Sequence, residues 1–246
     1  LATITIHQQF NFFKTIMWLT TSSIGRKVIM SVTGLALILF LTFHGCMNVV
    51  ALFSAEGYNM ICEMLGANWY AVAATAGLGV LMLIHFVYAF ILTAQNRRAR
   101  GNSRYAVVDR PEKVEWASQN MLVIGIVVLL GIALHLYNFW AKMMFVELAH
   151  VGNEWLAADG YHWIQYTFAN PVYSVLYLVW LLAIWFHLTH GMWSAMHTLG
   201  ASGKTWLPRI KCISYVYSTI IMLMFAVVVV KFAVAAMLNG TMHFGC

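Results

Sequence analysis

Charge is what this sequence has least of: 9% of its 246 residues are Asp, Glu, Lys or Arg, against 62% that are hydrophobic. A soluble domain carries roughly a quarter charged residues, so that class is excluded. Proline is scarce too, with three in the chain. Pro111, Pro171 and Pro208 all fall at or outside the ends of apolar runs, where proline does least damage to a helix. The four cysteines, Cys46, Cys62, Cys212 and Cys246, are scattered without CxxC spacing, which removes the signal for an iron–sulfur cluster or a zinc site. HExxH does not occur, so a zinc protease is unsupported. There is no internal repeat, and residues 1–25 lack a basic start, one clean apolar block and a small-residue cleavage site, so no cleavable signal is expected.

What the chain has in abundance is long apolar stretches. A helix needs about 20 residues to cross roughly 30 Å of hydrocarbon. Runs of that length predict an all-α integral membrane bundle of five transmembrane helices, at about 28–52, 69–94, 115–141, 171–197 and 211–238. Basic residues sit between and beside these runs. Arg26 and Lys27 precede the first; Arg97, Arg98, Arg100, Arg104, Arg110 and Lys113 lie between the second and third; Lys204, Arg209 and Lys211 lie between the fourth and fifth. By the positive-inside rule these segments face the cytoplasm, with the N-terminus inside and the C-terminus outside. The remaining connections, with Glu56 and Glu63, then Glu147, Glu154 and Asp159 against Lys142, face outward and are acidic. A net charge of +6 spread over helix ends in this way does not predict nucleic-acid binding. Cys62 and Cys246 share the outer side, where a disulfide is open to them and two free thiols are preferred. Residues 1–25 read as an interfacial arm, with Phe10, Phe12, Phe13, Ile16, Met17 and Trp18 for one face, ahead of a membrane domain over 26–246. The outer segment 142–170, with Trp155, Tyr161, Trp163 and Tyr166, suits an amphipathic cap at the interface.

Inside the apolar runs stand four histidines: His44, His85, His135 and His187, one on each of four successive helices. A single intramembrane histidine is most often a helix–helix hydrogen-bonding group. Four in this pattern make a functional hypothesis. Each lies about 15–20 residues into its helix, and the helices alternate in direction. His44 and His135 therefore come to rest in the outer half and His85 and His187 in the inner half, each pair roughly 5–10 Å from the midplane. A six-coordinate haem requires two axial imidazoles on opposite faces, which facing helices of a bundle supply. The expected pairs are His44 with His135 and His85 with His187. Gly34, Gly45, Gly77, Gly79, Gly131 and Gly191 lie in the same spans and offer flat room beside the backbone, although plain helix packing also uses such glycines. Ser31, Thr33, Arg26 and Lys27 are candidates to meet propionates on the inner side. His190, one turn beyond His187, leaves the ligand of the fourth helix ambiguous by spacing. His197 is expected to be solvated or to help a propionate, and His7, His150, His162 and His243 to be surface histidines.

Several stretches resemble one family, the di-haem cytochrome b membrane subunit of quinol:fumarate reductases and succinate:quinone oxidoreductases in its single-chain, five-helix form. SVTGLALILFLTFHG resembles the family's first-helix pattern of Ser, Thr-Gly and then His, LIHFVYAF its second-helix ligand segment, and ALHLY its third. In the fourth helix the family places Gly four and thirteen residues after the ligand, which His187 satisfies with Gly191 and Gly200 and His190 does not. The resemblance runs from about residue 26 to the end, each motif weak alone and the order, spacing and topology specific together.

The resemblance implies a bacterial inner-membrane, multi-pass subunit carrying two haems b. It would anchor a flavoprotein (FAD) subunit and an iron–sulfur subunit on the cytoplasmic face, with a dimer of that heterotrimer left open. Electrons would pass between menaquinol and fumarate or succinate, through a proximal haem on His85 and His187 and a distal haem on His44 and His135. Ser31 and Thr33 would fall on a haem-edge segment. A quinol site needs a base beside an apolar slot; Glu63 is the candidate and Glu56 the second, against the plainer reading of solvated carboxylates. Some relatives carry a glutamate two residues before the fourth ligand, implicated in proton movement across the membrane. Here that position is Trp185. Two rivals stand beside this reading: a di-haem b subunit of a hydrogenase or formate dehydrogenase type, and a transporter whose histidines line a polar path. A transporter would favour a broken helix or a carboxylate near the midplane; the one deep charge is Lys231, placed to snorkel outward.

Overall fold

Apolar side chains that have no water to leave can still stabilise a helix bundle by close packing, provided every backbone polar group is satisfied within its own helix. A computed structural model of the chain describes residues 14, 17–66, 68–100, 115–152 and 157–244. Among the described residues there are helices and turns and no strand. Five helices are long and apolar enough to cross a membrane: α1 (Ser23–Val49), α3 (Trp69–Arg100), α4 (Trp116–His135), α7 (Pro171–Thr198) and α8 (Trp206–Leu238). The protein is a multi-pass membrane protein. Three shorter helices, α2 (Ala55–Met64), α5 (Met144–Ala149) and α6 (Gly160–Ala169), occupy the two acidic connections.

Three of the spans begin or end beyond their apolar runs, whereas α4 stops at His135, short of the expected 141. The first begins at Ser23, where the Ser22 hydroxyl accepts from Gly25 N and satisfies one of the free amides of the first turn. The second continues through Arg97 and Arg98, whose long stems can lie along apolar surface while their charges reach water. The fifth starts at Trp206 and holds Pro208 in its first turn, a position where the missing N–H costs nothing. Of the expected interfacial arm, Met17 and Trp18 are exposed, and Arg26 donates from Nε to Thr20 O at 2.7 Å; Phe10, Phe12, Phe13 and Ile16 lie outside the described residues. Arg104, Arg110, Pro111, Lys113, Glu154, Trp155 and Cys246 also lie outside them.

The core sits where α7 packs on α8, with α4 and α1 flanking α7. Tyr177, Leu181, Ile184 and Leu188 of α7 meet Ile221, Met222, Val228 and Phe232 of α8. By contrast α3 packs against α1, and no residue in its most apolar stretch is buried, whereas a third are buried in the corresponding stretches of α7 and α8.

The acidic end is capped as the aromatic content of segment 142–170 predicts. The Lys142 ammonium lies over the rings of Tyr137, Trp163 and Tyr166, at 5.5, 5.2 and 5.2 Å from their centres. Asp159 caps α6 by accepting from His162 N at 3.0 Å, and Asn59 of α2 donates to the same carboxylate at 2.8 Å. Gly160 is required there, because a Cβ would overlap the Cys62 sulfur. Burial pushes the Cys62 thiol up to about 11, and Cys46, Cys62 and Cys212 are free.

Candidate functional site

Each in-span histidine is carried by the apolar face of its helix and reaches across to one partner. His85 of α3 meets His187 of α7 with ring centres 6.3 Å apart and planes at 67°. His44 of α1 meets His135 of α4 at 5.8 Å and 79°. α1 with α4 and α3 with α7 have little or no close backbone packing, and the imidazoles meet across these gaps. All four rings are partly buried.

The His85–His187 pair has a polar setting. Thr33 Oγ1 lies 3.1 Å from His85 Nδ1, and Gly34 lets the ring approach, since a Cβ there would stand 3.3 Å from His85 Cε1. His187 Nδ1 is buried without a hydrogen-bond partner. Gly77, Gly79 and Gly191 have open space where a side chain would begin. Ser31 is buried and donates to Lys27 O at 2.9 Å, so its hydroxyl proton is used within α1.

The His44–His135 pair is wrapped in aromatic rings. Phe40 stacks on His44 at 5.5 Å and 12°, with Phe225 at 5.6 Å on another side. Phe139, Trp180 and Tyr177 surround His135 at 5.2, 5.8 and 6.4 Å. Gly131 does not leave free space: Trp180 fills it, anchored by its Nε1 donating to Val128 O at 3.0 Å. Directly after His135 the helix widens into a π turn over Leu136–Trp140, a distortion often found at functional sites. Within it Asn138 is fully buried and donates to Tyr177 OH at 3.4 Å, leaving its Oδ1 unpartnered.

The spacing of the pairs can be compared with what coordination demands. Two imidazoles on opposite faces of one metal ion have ring centres roughly 6 Å apart, given a metal–nitrogen bond of about 2 Å and about 1 Å from nitrogen to ring centre on each side. Both pairs stand at that separation, across gaps that backbone packing does not close. Among the described residues no group of three or more His, Cys, Asp or Glu could hold a metal ion by itself. A haem asks for only two protein ligands, so the residues present fit that group. No family model, curated protein or solved structure matches the chain.

His190 turns away from the pair. Its Nδ1 lies 3.9 Å from Glu115 Oε2, in a cluster that periodicity did not reveal. Glu115 Oε1 accepts from Lys211 Nζ at 2.6 Å, Glu115 Oε2 accepts from Trp193 Nε1 at 3.1 Å, and Lys211 stands 4.3 Å over the Trp193 ring. The cluster ties the starts of α4 and α8 to the end of α7. The one available signal was a carboxylate at a helix start among basic segments.

Glu56 and Glu63 both lie on α2, the helix that replaces an expected loop, and both are exposed. His197 is exposed. His243 is more than a surface residue: its Nε2 lies 2.8 Å from Tyr166 O and its ring 4.5 Å from the Tyr166 ring, which fastens the segment after α8 to α6. Lys231 is exposed, and its ammonium reaches the end of α1, where it donates to Leu52 O at 2.8 Å and Ala51 O at 3.2 Å.

Proposed function

We propose that this protein is the membrane-anchoring cytochrome b subunit of a quinol:fumarate reductase or succinate:quinone oxidoreductase. The observation that carries the reading is the pairing of four histidines of the apolar spans two by two, at 5.8 and 6.3 Å, between helices with little backbone packing of their own. When bound, two haems b supply one-electron transfer at iron held between imidazoles. His44 and His135 hold the outer group, and His85 and His187 the inner one.

The roles of the surrounding residues follow from position. The basic ends, with Arg26, Lys27, Arg97, Arg98, Lys204, Arg209 and Lys211, face the cytoplasm of a bacterial cell and meet an iron–sulfur subunit, which with a flavoprotein interconverts fumarate and succinate. The aromatic rings around His44 and His135 exclude water from the outer group, and the Thr33 hydroxyl orients His85. At the acidic end Glu63, with Glu56 as second, takes the protons that menaquinol gives up when its electrons leave; exposure on α2 gives both carboxylates a direct route to water. Trp185 donates to Thr219 Oγ1 at 2.9 Å and offers no proton-carrying group where some relatives have glutamate, so α7 supplies no carboxylate relay across the membrane.

Purifying the tagged chain from its native membrane tests the reading. Co-purification of a flavin-containing and an iron–sulfur subunit, with menaquinol-dependent fumarate reduction in the complex, is the expected result. A hydrogenase or formate dehydrogenase as the attached partner would contradict the assignment to fumarate and succinate.

A further inference from the structure

We propose that Thr33 is a positioning residue for the inner histidine pair, accepting the Nδ1–H of His85 and so leaving Nε2 as the nitrogen with a free lone pair. The inference rests on the two-haem reading above and deepens it.

The argument is one of donor counting. Thr33 is buried, and its Oγ1 lies 2.8 Å from Ile29 O, 3.1 Å from Met30 O and 3.1 Å from His85 Nδ1. A hydroxyl has one proton and two lone pairs, and a carbonyl oxygen can only accept. If the proton pointed to His85, both carbonyls would face hydroxyl lone pairs at hydrogen-bond distance. The proton therefore goes to the carbonyls of its own helix, and the contact with His85 forms only when Nδ1 carries hydrogen. A neutral imidazole has a single N–H, so Nε2 keeps its lone pair.

The neighbouring residue completes the seat. A Cβ on Gly34 would stand 3.3 Å from His85 Cε1 and 3.8 Å from Nδ1, so the ring lies against bare backbone beside the threonine. His187 and His44 are not held in this way: His187 Nδ1 has no partner, and at His44 the nearby group is a donor, Asn48 Nδ2, 3.5 Å from each ring nitrogen. Donation from Nδ1–H raises the basicity of the ligating nitrogen, which favours the oxidised iron and lowers the potential of the inner haem relative to one without that bond.

The test is a redox titration of the purified complex for wild type, Thr33→Val and Thr33→Ser, with His187→Ala as the reference that identifies the inner haem's transition. Thr33→Val keeps the shape and removes the acceptor, and it is expected to shift the inner midpoint upward while the outer one stays; Thr33→Ser restores the wild-type value. Unchanged potentials in Thr33→Val, equal shifts in Val and Ser, or a common shift of both haems would overturn the proposal. If Thr33→Val does not assemble, Thr33→Ala against Thr33→Ser gives the same contrast. A wild-type complex without haem would contradict the two-haem reading itself, an outcome visible before any variant is made.

Discussion

At the scale of single residues, the fourth helix poses the sharpest choice, because HLTH offers two histidines three residues apart. His187 stands 6.3 Å from His85, while His190 lies against the Glu115 carboxylate and the Trp193 ring. Replacing His187 by Ala is expected to remove the inner haem and leave the outer one, lowering the haem content by about half, as one of two bis-imidazole sites is lost. Replacing His190 by Ala is expected to keep both. Loss of the inner haem from the His190 variant, with His187 intact, would reverse the assignment; haem quantification on the two purified variants decides it. The pairing itself was legible in the sequence, because depth in a span follows from counting residues and direction from alternation. The hydrogen bond to Thr33 and the Glu115 cluster were not legible, since they join positions 52 to 96 residues apart. Helical period says nothing about which rotation brings such positions together.

At the scale of elements, the five spans announced themselves by apolar length, and the helices of segment 142–170 by their aromatic content. α2 was missed: its ten residues lie between two spans, mix Glu56, Asn59 and Glu63 with Met60 and Ile61, and owe their helix to a Ser54 cap and to packing on α6. The partners of Lys231 were not legible for a related reason, as they are backbone carbonyls of another helix, invisible in a side-chain pattern. Those carbonyls end α1 and its 3-10 turn, and the Lys231 ammonium satisfies them. Lys231→Met keeps the stem and removes the donor. It is expected to destabilise the protein by about 1–2 kcal/mol, for charge-assisted hydrogen bonds at a partly solvated site, and to lower the apparent melting temperature in detergent by roughly 2–8 °C for a chain of this size. An unchanged melting temperature would mean that the lysine only snorkels.

At the scale of the whole molecule, the histidine pairs form two separate sites in a single bundle, one polar and threonine-anchored, the other lined by aromatic rings. The core formed by α7 and α8 is closed, whereas α3 stands against α1 with its other faces unpacked and open space beside Gly77 and Gly79. A helix in hydrocarbon gains little from lying alone, so a group seated between α3 and α7 would complete the packing as well as the chemistry. The measurement that bears most directly on this account is the haem content of the purified chain, with visible spectra in the oxidised and dithionite-reduced states. Two b-type haems per chain with low-spin, bis-histidine bands are the predicted result. Correctly folded protein with no haem would contradict the account, and the four histidines would then be packing or transport residues.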